Sequence, residues 1–184
     1  MRAAVDATPS VVSRVAARVH GLADVWLFAR MLGWAVRLAV LKRTRPLQSL
    51  VPLVRQESDG GPRRRAQEDQ IVTFARWATR LTQWTKRGNC LERGLIAYRY
   101  LTAINAQPTL VVGLRVAPSA FASADRSARQ VGRDQQSAIT GHAWVELDGQ
   151  PVGERLSALR ELTRILAFGP EGLSRHENAK TRNR

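Results

Sequence analysis

One cysteine, Cys90, in 184 residues excludes an internal disulfide framework and a cysteine-rich zinc site. It fits a reducing cytoplasm, where a thiolate stays active. Acidic residues are also scarce, with 15 Asp and Glu against 29 Lys and Arg, a net charge of +14. Residues 1–65 carry 12 basic and four acidic side chains, so that third alone holds +8. Such an excess suits an acidic partner: a phosphate backbone, an anionic membrane face or an acidic peptide. The triplet Arg63-Arg64-Arg65 lacks interleaved aromatics or a recognisable binding motif, so no nucleic acid is expected as partner. No membrane-spanning run is present either. The most apolar stretch, Trp26 to Leu41, is interrupted by Arg30 and Arg37 and falls short of the ~20 residues a span needs. Residues 1–9 lack the basic-then-apolar design of a signal peptide.

What is present is enough apolar sequence for a core, 44% of residues, organised mostly at helical spacing. Residues 10–20 and 22–42 read as helices. In the second, Val25, Phe28, Leu32, Val36 and Ala39/Val40 form a stripe, with Arg30 and Arg37 on another face. Such a helix packs on its own domain or, given the basic face, lies on a membrane surface. Residues 43–65 hold Pro46, Pro52, Pro62 and Ser58-Asp59-Gly60-Gly61, giving a short helix or turn and then a solvated linker. Residues 67–86 return to helix, with Ile71, Phe74, Ala78, Leu81 and Thr85 on one face and Trp77 and Trp84 beside it.

Gly88 stops that helix, and Asn89-Cys90-Leu91-Glu92 opens the next. Asn89 is a good N-cap, and Glu92 stands where a capping-box carboxylate reaches back. A thiol on the first turn meets the positive end of the helix dipole, which favours thiolate. Cys90 is placed like a nucleophile. Lone cysteines more often serve as small buried hydrophobes, so a second residue must carry the argument. His142 does so, at the start of a strand–Asp-Gly–strand hairpin ending near Glu154. A two-residue Asp148-Gly149 loop faces His142 with Arg155. A three-residue Leu147-Asp148-Gly149 loop faces it with Glu154, which would then orient the imidazole. Asp148 at the tip is the alternative acid and, more simply, a turn residue.

Cys-Leu-x-Arg at 90–93, the apolar segment 110–116 and His-Ala-Trp-Val-Glu-x-Asp-Gly at 142–149 together resemble the lasso-peptide B protein. The resemblance covers about 70–156. That family comprises leader peptidases similar to transglutaminase-like cysteine proteases, and both fused and split forms exist. It implies Cys90 as nucleophile, His142 as general base and, twelve residues on, Glu154 where the family usually has aspartate. It implies Arg93 as a supporting residue, paired with Glu146. In papain-like enzymes a glutamine upstream of the cysteine donates to the oxyanion, which makes Gln83 a candidate. No cofactor or metal is implied. The implied substrate is a lasso precursor cut at its leader–core junction. The implied partners are a separate small leader-binding protein and a lasso cyclase, since no second domain of the leader-binding type is evident here.

The expected fold is α+β. A transglutaminase-like (papain-like) core over 67–168 follows an N-terminal helical region and linker (1–62) and precedes a charged flexible tail (169–184). Thr109–Val116 is a strand, residues 117–140 an insertion acting as disordered loop or lid, and Leu156–Phe168 a helix or further strand. The reading from another class is a non-catalytic basic module that binds a peptide or a membrane surface.

Overall fold

The computed structural model describes residues 21–58, 60–82, 89–116, 139–170 and 172–175. The expectations for the 10–20 helix, for Gln83, Trp84, Thr85 and the Gly88 stop, for nearly all of the 117–140 insertion and for residues 176–184 of the tail lie outside them. The described chain is mixed α+β. Helices α1 (Leu22–Thr44), α2 (Leu47–Val54), α3 (Glu68–Leu81) and α4 (Cys90–Ala103) precede β1 (Thr109–Val116), β2 (Ile139–Leu147) and β3 (Gln150–Val152). A single helical turn, α5 (Leu156–Leu159), and strands β4 (Thr163–Gly169) and β5 (Gly172–Arg175) complete it. The stretch 156–168 is therefore both helix and strand. Residues 172–175, expected as flexible tail, form an edge strand paired with β4.

The five strands form one antiparallel sheet in the order β3-β2-β1-β4-β5. Helix α4 lies between layers, touching β1 and β2 on one side and α1, α2 and α3 on the other. The N-terminal helices are not an appendage. Met31, Ala35, Leu38, Val51 and Val54 share one core with Phe74, Leu95, Leu101, Leu110 and Phe168. Burying each such side chain contributes roughly 1.5–3 kcal/mol, which accounts for α1 and α2 being held on α3 and α4.

Two expectations of facing and linkage are corrected. The buried face of α1 is Met31, Ala35 and Leu38, with Phe28 and Leu32 packed at its margin, while Val25, Val36 and Val40 point outward. The stretch before α3 is not a free linker. Arg63 binds Glu68 and, with Nη1 2.8 Å from both carboxylate oxygens, Asp148, which holds its charge firmly and clips the hairpin tip to the start of α3.

Candidate active site

The cysteine reaches the sheet because α4 presses against it at a residue with no side chain. At Gly94, one turn after Cys90, an added Cβ would stand 2.9 Å from Leu110 Cδ1 and 3.9 Å from the Ala143 carbonyl oxygen. That approach sets the first turn of α4 beside β2, where His142 and Ala143 are. Asn89 precedes the helix, but its side chain makes no capping bond, and its Nδ2 is buried without a partner. Glu92 makes no capping box either: it is buried and paired with Lys42 of α1. A long-range charge pair has displaced the local one.

The half-buried Cys90 thiol is where the layers meet. Burial pushes its pKa up. A side-chain hydrogen bond with His142, the backbone N–H of Ala143 and the charge of Arg93 together overcome this and hold it below the ordinary thiol value. His142 shifts the opposite way, raised from 6.5 to about 9 by its bond to the sulfur and by Glu154. The two shifts describe one thiolate–imidazolium pair. Trp144 stacks on the imidazole at 6.2 Å, and its indole N–H donates to Glu146 Oε1 at 2.9 Å.

Glu154 stands behind the imidazole, with Oε2 3.5 Å from His142 Nε2. That is ion-pair range but not a well-formed hydrogen bond, and Nε2 has no closer acceptor. Slack of this kind is common in catalytic groups without substrate. The other carboxylate oxygen is held by Arg93. Burial would raise the Glu154 pKa, but His142, Arg93 and Arg76 hold it below the usual range. The carboxylate is therefore ionised and shared between a base and a guanidinium.

How Glu154 arrives corrects the register argument. The hairpin pairs Leu147 with Gln150, Glu146 with Pro151 and Val145 with Val152, the two-residue loop. Asp148 and Gly149 both have positive φ (51° and 76°), as a type I′ turn requires. Simple continuation would have set Arg155 opposite His142. Instead β3 stops at Val152 and the chain bends at Gly153, φ +72°, with the Gly153 carbonyl accepting from Arg76. The bend turns Glu154 inward.

The other assignments sort cleanly. Asp148 is engaged by Arg63 at the hairpin tip, six strand residues from His142 and so about 20 Å away along β2, and is not the acid. Arg93 pairs with Glu154 rather than Glu146, whose partners are Trp144 and Arg164. Sequence reasoning missed Arg76 and the Ala143 N–H. Neither carries a sequence signal, because both act through contacts between distant segments. Among the described residues no group of three or more His, Cys, Asp or Glu could hold a metal ion.

The pair sets a pH dependence. The Cys90 alkylation rate with iodoacetamide is expected to stay high down to pH 6.5, where a free thiol is only about 1% thiolate. It should exceed that of glutathione at this pH by about tenfold or more, the lower nucleophilicity of a low-pKa thiolate reducing the full gain. His142→Ala should return its titration to the ordinary range. The raised His142 pKa also stabilises the fold, fully below about pH 6.5 and progressively less as pH rises through about 9. An unchanged profile in His142→Ala would dissolve the pair.

Comparison with protein-family descriptions, curated proteins and solved structures finds no match to this chain.

Proposed function

We propose that this chain is a cysteine endopeptidase that removes the leader from a lasso-peptide precursor, built on a transglutaminase-like core. The observation that carries the reading is the convergence of three groups: a thiol on the first turn of a helix, an imidazole whose interaction with it lowers the thiol pKa, and an ionised carboxylate behind the imidazole. The residues quoted for the resemblance, Cys-Leu-x-Arg and His-Ala-Trp-Val-Glu-x-Asp-Gly, narrow the substrate class.

The Cys90 thiolate attacks the carbonyl carbon at the leader–core junction, forming a C–S bond. The oxyanion is met by the Cys90 backbone N–H, free of an intrahelical acceptor at the first helical position, and by one other donor. His142 gives its proton to the departing amine as the C–N bond breaks, which frees the core N-terminus for a separate cyclase. Water then loses a proton to His142 and attacks the thioester, the C–S bond breaks, and the leader carboxylate leaves with the thiolate restored. Glu154 holds the imidazole in orientation and offsets its charge through both steps.

The test is cleavage of a lasso precursor in the presence of the small leader-binding protein, read by mass spectrometry. A single cut at the junction is expected, and its absence would refute the reading. Glu154→Gln keeps the shape but removes the charge. It should lower kcat by about 10²–10⁴ with little change in KM, by analogy with an aspartate-to-asparagine change in a serine-protease triad.

A further inference from the structure

Helix α1 is apolar on two sides. Its inner face, Met31, Ala35 and Leu38, is buried in the core. Leu22, Val25, Trp26, Ala29, Gly33, Val36 and Val40 recur at three and four residues down the opposite side, all exposed. Leu22, Trp26 and Val40 are 89%, 66% and 61% exposed, so the stripe is open along nearly its whole length, about 27 Å. A helix apolar on all sides is normally covered on all sides. No described helix is long and apolar enough to cross a membrane, so this one can meet a bilayer only lying in its plane.

The rim says what covers it. Arg30 and Arg37 flank the stripe on one side and Arg43 on the other, all exposed. The one acidic residue of α1, Asp24, falls on the core side by the helical repeat. An apolar strip with a tryptophan near one end, Arg30 and Arg37 along one edge and Arg43 at the far end of the other matches an anionic lipid surface, apolar side chains entering the acyl boundary and arginines meeting headgroups. An acidic protein groove would also meet the arginines, but the strip is convex and its middle is the small Ala29-to-Gly33 interval, which offers no anchor to a pocket.

We propose that the outer face of α1 docks this protein onto anionic membrane surfaces. The orientation follows from Lys42, which ties the C-terminal end of α1 to Glu92 in the first turn of α4. Lys42 is on the core side of α1 by the helical repeat, so a docked molecule keeps α4 and Cys90 on the side of α1 away from the lipid.

The experiment is co-sedimentation of the full chain with vesicles of phosphatidylcholine containing 30% phosphatidylglycerol, against pure phosphatidylcholine. Binding is expected only with the anionic lipid, weakening with salt, and the double variant Trp26→Glu/Val36→Glu should bind at least tenfold less. Both positions are exposed, so the variant should keep its Tm and its Cys90 alkylation rate, which separates lost docking from lost folding and from the peptidase reading. Failure to bind anionic vesicles at low salt would overturn the proposal, as would equal binding by the variant. A dimer in light scattering that the variant splits would assign the face to a second copy. Capture of the leader-binding protein, lost in the variant without any lipid binding, would assign it to that partner. Either result would overturn the membrane assignment.

Discussion

Cys90→Ala is expected to abolish precursor cleavage, by at least about 10³-fold, with no loss of fold. The thiol is the only one in the chain, so no neighbour can substitute, and removing a nucleophile in related chemistry costs up to about 10⁶ in kcat. The sulfur is only half-buried, so the vacancy left by alanine is small and Tm should hold within a few degrees. His142→Ala should be nearly as severe, because the same ring lowers the thiol pKa and, in the proposed mechanism, protonates the leaving amine. The two changes should not add. Once the sulfur is absent, losing the imidazole should cost little more. Cleavage persisting in Cys90→Ala at above a tenth of the wild-type rate would refute Cys90 as the nucleophile.

Gly153→Ala should have the largest effect of any single methyl. The residue has φ +72°, and an added Cβ would stand 2.4 Å from Val72 Cγ1, closer than real Cβ contacts come. The left-handed conformation and the clash together are expected to cost about 2–4 kcal/mol, or roughly 5–15 °C in Tm for a domain of this size. Kinetics should show more than instability. Relaxing the bend swings Glu154 away from His142, so kcat should fall at temperatures where the variant is folded. Adding Val72→Ala removes the clash but not the strain, and should recover part of the Tm. An unchanged Tm in Gly153→Ala would mean that the bend is not fixed by this residue.

Sequence reasoning reached the chemistry of the site before its geometry. Cys90 and His142 each stand at a local signal, a helix start and a hairpin strand, and local signals survive folding. Glu154 was reached from the resemblance, and from a three-residue loop that the structure replaces with a two-residue turn and a bend. The isolated Gly153 between Val152 and Glu154 was the available clue, since glycine in a strand pattern marks a departure from regular pairing. The inner face of α1 was misassigned because periodicity selects a face only when the other side is polar, and here both sides are apolar. Ion pairs were the least legible feature. Glu92 with Lys42, Arg93 with Glu154 and Arg63 with Asp148 join segments whose proximity no spacing rule encodes.

The sulfur belongs to the helical layer, whereas the imidazole and the carboxylate belong to the sheet. During synthesis the thiol leaves the ribosome well before the base that sharpens it, and the acid follows later still, beyond the hairpin tip. A nascent chain thus carries an ordinary cysteine until β2 and the bend at Gly153 have closed on α4. The low-pKa thiolate therefore appears only once the hairpin has packed on the helix layer.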